Sequence, residues 1–155
     1  MLDFDQEARR LRAALGLDGG KPTHEFHDMD RLWVDTKTGG AIWVGNENAA
    51  KGPLSEFERH DIAAVVNCTD DMPNFLEGAG PIYYRFNVAH HTVLSADSSS
   101  LAMFVGKLFV FVDEALAAGK SVLVHCLAGA HRAGTTGCLL LMYKDGLTAE
   151  AAVQL

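Results

Sequence analysis

The chain has 155 residues, 48% of them apolar, and a formal net charge of −7. That length and apolar content suit one compact domain with a real core, and no internal repeat or low-complexity tract points elsewhere. The acidic balance argues against any role resting on broad attraction to nucleic acid or anionic lipid, yet leaves room for a local anion pocket and a small phosphorylated ligand.

The opening "MLDFDQEARRLRAALG" is charged and helical in pattern, with no signal-peptide core. No apolar run reaches membrane-spanning length, so a cytoplasmic protein without membrane partners is expected. Residues 4–16 read as an amphipathic helix with Phe4, Ala8, Leu11 and Leu15 on one face, ended by the linker "GLDGGKPTHEFHDMD". Residues 1–30 are thus an N-terminal helix and linker, and residues 31–155 the domain proper. His24 and His27 stand near Glu25 and Asp28 but near no cysteine, so an exposed loop is preferred to a metal site, and no metal is expected.

Further on, "LWV" and "AIWVG" flank the turn "DTKTGG", a hairpin signal. "NENAAKG" and "PLSEFERHD" are short helices, the second opening at Pro53 as first-turn prolines do. "IAAVVN", residues 62–67, is a continuous β-prone run and so a central strand. "PIYYRFNV" is a further strand entered from the turn "EGAGP". "LAMFVGKLFVFVDEALAAG" is a helix apolar nearly all round, "SVLVH" a buried strand, and "RAGTTGCLLLMYKDG" a helix stopped by Gly146. Strands alternating with helices define an α/β domain with a mainly parallel central sheet. Cys68, Cys126 and Cys138 are too few and too scattered for a disulfide framework or a zinc pattern, so free thiols are expected. Cys138, mid-helix, reads as core, and Trp33 and Trp43 as structural.

The chemistry concentrates in "SVLVHCLAGAHRAGTTG". A buried strand runs into a small-residue loop and then a helix, where open α/β sheets bind their ligands. Leu127, Ala128, Gly129, Ala130 and His131 supply successive backbone N–H groups around an anion, and the glycine and alanines let that backbone curl tightly. The helix starting near Arg132 adds the positive end of its dipole, and Arg132 forks onto two oxygens of a phosphate. Helix N-termini and nearby cations favour thiolate over thiol, which makes Cys126, at the base of the cradle, a nucleophile aimed at phosphorus. In-line attack gives a phosphocysteine that water hydrolyses. His125 fits a supporting role, fixing the loop and tuning the thiolate. A bare C-x5-R spacing is weak; the preceding histidine, the glycine and the strand–loop–helix setting make it specific.

These residues resemble the phosphate loop of cysteine-dependent protein phosphatases, in particular the small dual-specificity group. "AIWVGNENAAKG", "DIAAVVNCTDDMPNF", "YYRFNV" and "FVDEALAAGKSVLVHC" are similar to that group's segments in the same order, so the resemblance spans residues 32–155. It implies a five-stranded sheet flanked by helices, a shallow pocket, no metal or organic cofactor, and hydrolysis of phosphotyrosine, phosphoserine or phosphothreonine in proteins by a monomer or weak homodimer. Residues 1–30 fall outside it and are left a packing or partner-binding role.

Four points depart from the family or go beyond it. The family places a Ser or Thr after the loop arginine to help the thiolate leave; here stands Ala133, with Thr135 as a compensating hydroxyl. The family's general acid is an aspartate about thirty residues before the cysteine. Asp97, 29 residues before Cys126, is the choice, with His90 and His91 as alternatives and an N-cap in "ADSSSL" as its structural role. The helix opened by "GLTAEAAVQL" stops at Leu155 where the family's helix runs on, so the resemblance implies a domain cut short there. Cys68 ends the strand expected beside the catalytic one, which makes it either a partner for a reversible disulfide with Cys126 or simply buried. Two alternatives to a protein phosphatase stay open: a phosphate-binding module with little turnover, and a phosphatase for a non-protein ester. The absence of lysine in "LAGAH" disfavours highly charged inositides.

Overall fold

A computed structural model describes residues 27–88 and 98–154. The helix expected over residues 4–16, His24, and the acid candidates Asp97, His90 and His91 lie outside the described residues. Five strands form one sheet: β1 (Met29–Val34), β2 (Ala41–Gly45), β3 (Ile62–Asn67), β4 (Ile82–Arg85) and β5 (Ser121–His125). Their spatial order is β1-β2-β5-β3-β4. β1 pairs with β2 antiparallel, and all other pairs are parallel. β5 holds the centre with every residue buried, as expected of a Val/Leu run covered on both faces.

Side-chain alternation divides the core in two. Ile42, Val66, Val122 and Val124 pack with Leu108, Val112 and Leu116 of α3 (Ser98–Ala117) and Leu140 of α4 (Arg132–Asp145). Val65 and Leu123 face the other way, onto Ala50 of α1 (Glu47–Lys51) and Phe57 of α2 (Leu54–Arg59). A last helix, α5 (Ala149–Val153), is capped by the Thr148 side chain. Gly137 lets α4 lie close on the hairpin: a Cβ there would stand 2.9 Å from Leu32 Cδ2 and 3.0 Å from Val44 Cγ2. Trp33 of β1 donates from Nε1 to Asp145 Oδ1 at 2.9 Å, which ties the far end of α4 to the same hairpin.

The elements expected within the described residues are present, with shifted limits. β1 starts at Met29, inside the stretch read as linker, because Met29 pairs with Gly45 and Asp30 with Val44. Pro53 is the N-cap of α2 rather than its first helical residue. β4 ends at Arg85, although the Phe86 N–H still bonds the Asn67 carbonyl at 2.9 Å. α3 begins three residues before Leu101, at Ser98. Its outer face remains exposed, with Met103 at 68% and Val110 at 58%, so the all-round apolar pattern does not mean all-round burial. Cys138 is half-buried, not core, and its Sγ lies 3.5 Å from the Ala152 carbonyl oxygen of α5.

Candidate active site

The central strand ends at His125 and the chain turns at Cys126, which is only 2% exposed at the floor of the loop that follows. Parallel pairing puts the C-terminal ends of β2, β3 and β5 level with one another, Gly45 and Asn67 both standing opposite His125. Two neighbouring turns therefore reach the loop. From the β3 side, the Cys68 N–H donates to the His125 carbonyl at 2.9 Å. From the β2 side, the Glu47 N–H donates to the Leu127 carbonyl at 3.1 Å, and the Cys126 N–H to the Gly45 carbonyl at 3.4 Å.

These bonds orient the loop. In a trans peptide the C=O of one residue and the N–H of the next point opposite ways. Because the Leu127 carbonyl is held outward on Glu47, the Ala128 N–H is turned toward the inside of the loop. Gly129 bends the loop at φ +75°, with the Gly45–Asn46 peptide on the side where a Cβ would stand. A Cβ there would lie 3.0 Å from Gly45 C and 3.2 Å from Asn46 N, so the position demands glycine by conformation and by space. α4 then starts at Arg132 behind His131, whose side chain makes no capping bond, so no side chain of its own competes for the helix's first N–H groups. No carboxylate among the described residues pairs with the Arg132 guanidinium.

His125 is fully buried, and neither ring nitrogen has a hydrogen-bonding partner among the described residues. Burial pushes its imidazole down to about 4, so the ring is neutral at pH 7. Ala133 is buried in the same cluster as Cys126. Thr135 is exposed and lines an apolar groove with Ala130, His131 and Gly134. The buried hydroxyl of this turn belongs to Thr136; it donates to the Arg132 carbonyl at 2.8 Å and accepts from the Cys68 thiol at 3.4 Å. Cys68 and Cys126 are both free. Burial pushes the Cys68 thiol up to about 12, with the Thr136 hydroxyl pulling the other way, so it is protonated at neutral pH.

The structure thus gathers Cys126 to Arg132 and His125 into one strand–loop–helix unit, with Thr135 in the first turn of the helix. Sequence reasoning missed the support: Gly45, Asn46 and Glu47 on one flank, and Asp28 behind them. The asparagine directly before "ENAAK" was the legible signal, since its side chain accepts from the Ala49 N–H at 3.0 Å as an N-cap. No group of three or more His, Cys, Asp or Glu among the described residues could hold a metal ion, and no helix among them is long and apolar enough to cross a membrane.

Known proteins resemble this chain in sequence and fold. A family model described as dual specificity phosphatase, catalytic domain, matches residues 42–155. Human dual specificity protein phosphatase 9 is 34% identical over 154 residues, covering 99% of this chain and 38% of that protein. The crystal structure of human DUSP28 superposes with a TM-score of 0.59 at 19% identity, covering 84% of this chain and 79% of that one. Tk-PTP in the active form gives a TM-score of 0.54 at 25% identity, with 80% of each chain covered. The chain belongs to the dual specificity phosphatase catalytic-domain family. It spans 38% of the length of the human relative and 26% of the Drosophila melanogaster relative Mpk3.

Proposed function

We propose that this chain is a cysteine-dependent phosphatase that hydrolyses phosphotyrosine, phosphoserine and phosphothreonine monoesters in proteins. The observation that carries the reading is the curled loop between Cys126 and Arg132, bonded through the Leu127 carbonyl and the Cys126 N–H to the Gly45–Glu47 turn and leading into a helix whose first residue has no side-chain cap. The Cys126 thiolate attacks phosphorus; an S–P bond forms as the P–O ester bond breaks, and the leaving oxygen takes a proton from Asp97. Water then attacks the phosphocysteine, the Asp97 carboxylate receives its proton, and inorganic phosphate departs as the thiolate is restored. Leu127, Ala128, Gly129, Ala130 and His131 hold the oxyanion through their backbone, and Arg132 forks onto two of its oxygens. The same reading has the chain act in the cytoplasm, as a monomer or weak homodimer, without metal or organic cofactor.

A second reading, a phosphate-binding module with little turnover, is favoured by one observation: Ala133 offers no hydroxyl at the floor of the loop. Turnover of an aryl phosphate decides between them. The native chain should be active, Cys126→Ser should lose turnover while still binding a phosphate-like anion, and Arg132→Lys should be severely impaired, since an ammonium lacks the planar fork. Native-like turnover by Cys126→Ser would end the covalent mechanism. Comparing phosphopeptides with a phosphorylated sugar or inositol then tests the substrate class.

A further inference from the structure

Asp28 lies outside the loop that binds the anion, just before β1, yet it organises the turn on which that loop rests. Its backbone carbonyl accepts from the Asn46 N–H at 2.9 Å. Its Oδ1 accepts from Asn46 Nδ2 at 2.9 Å and from Asn48 Nδ2 at 3.3 Å. Asn46 is buried, and both ends of its amide are engaged: Nδ2 donates to Asp28 Oδ1, and Oδ1 accepts from the Ala49 N–H at the start of α1. One carboxylate therefore sets the rotamer of the residue whose own peptide touches Gly129, and whose next N–H, that of Glu47, holds the Leu127 carbonyl outward.

The consequence follows from peptide geometry. If the Gly45–Glu47 turn shifts, the Leu127 carbonyl is released, and the peptide that aims the Ala128 N–H inward is free to rotate. The phosphate loop contains three small residues in a row, Ala128, Gly129 and Ala130, whose side chains can make no hydrogen bond to brace it. Its shape must be imposed from outside. We propose that Asp28 is a positioning residue for the phosphate loop, acting through Asn46 and the Glu47 N–H. This rests on the phosphatase reading for its effect on turnover, but not for its effect on loop geometry.

Three variants, Asp28→Ala, Asp28→Asn and Asn46→Ala, test it in the full chain. An asparagine at 28 still offers a carbonyl oxygen to both amides, so it should behave like the native residue; alanine does not. In Asp28→Ala the Glu47 amide should exchange with solvent about tenfold faster than in the native chain, and Asp28→Asn should restore its protection. In a Cys126→Ser background, tungstate should bind Asp28→Ala about tenfold more weakly, read by calorimetry well below the unfolding temperature. The double variant of Asp28→Ala with Asn46→Ala should be no worse than either single one, because the two act in series. Asp145→Ala, which removes the distant bond from Trp33, should lower the unfolding temperature and leave tungstate binding unchanged. Unaltered Glu47 exchange in Asp28→Ala, or equal losses in Asp28→Asn and Asp28→Ala, would overturn the proposal. If the native chain neither binds tungstate nor turns over an aryl phosphate, the phosphatase reading fails separately, and the Glu47 amide still decides the role of Asp28.

Discussion

At Ala133 a single missing oxygen bears on the second chemical step. The side chain is buried with Cys126, and of the hydroxyls nearest in sequence Thr135 lines the groove beside Ala130 and His131 while Thr136 is engaged by the Arg132 carbonyl and Cys68. With no hydroxyl to stabilise the departing thiolate, breakdown of the phosphocysteine should be slower than its formation. A reactive aryl phosphate should then give a burst of product followed by a slow steady state. Ala133→Ser adds one hydrogen bond to developing negative charge on sulfur, worth about 1 to 2 kcal/mol in that barrier, or roughly five- to thirtyfold in kcat. Stopped-flow traces should show the burst shrinking as the steady-state rate rises. Absence of a burst in the native chain would mean that water already serves as the donor.

Among the elements, α4 carries the most demands. Its first turn presents Arg132 and uncapped N–H groups to the site, while its middle must approach β1 and β2 closely. Two glycines of this helix should respond oppositely to substitution. Gly137→Val pushes into Leu32 and Val44 and should cost about 1 to 3 kcal/mol in urea unfolding. At Gly134 an added Cβ would have no neighbour closer than 3.9 Å, so Gly134→Ala should be neutral or should stabilise by up to about 1 kcal/mol through helix propensity. Similar losses at both would mean that the closeness of α4 to the sheet is not what Gly137 provides. The outline of this helix was legible, from "RAGTTGCLLLMYKDG" with its terminal glycine. Which glycine is spacing and which is tolerance was not, because Leu32 lies about a hundred residues away in sequence.

For the whole molecule, the centre of the sheet links stability to pH. His125, buried and neutral, holds its ring down to about 4, whereas the unfolded chain's histidine titrates near 6.5. Between those values the unfolded chain binds one proton more than the folded one, so stability falls as pH falls. The slope from this group is about 1.4 kcal/mol per pH unit between pH 6.5 and 4. Urea unfolding at a series of pH values should show this slope in the native chain and a slope smaller by about that amount in His125→Gln. Equal slopes would mean that the buried imidazole takes up a proton with its folded surroundings intact.

The sequence by itself determined the α/β class, the order of the strands and helices among the described residues, and the strand–loop–helix setting of Cys126 and Arg132, because these depend on local periodicity and on residues adjacent in the chain. Burial on both faces writes β5 as a continuous apolar run, and a loop that must curl around an anion has to be built of small residues. Three things only the tertiary structure decided. The exposure of α3 on its outer side depends on what packs there, which an all-round apolar pattern does not specify. The fate of the hydroxyls depended on helix rotation: Thr135 and Thr136 are neighbours in sequence, yet a rotation of about 100° per residue puts one in the groove and the other beside Cys68. The third is the support of the loop, where parallel pairing of β2 with β5 sets Gly45 level with His125 and so places Asp28 and Asn46 behind Gly129, though about a hundred residues separate them from it.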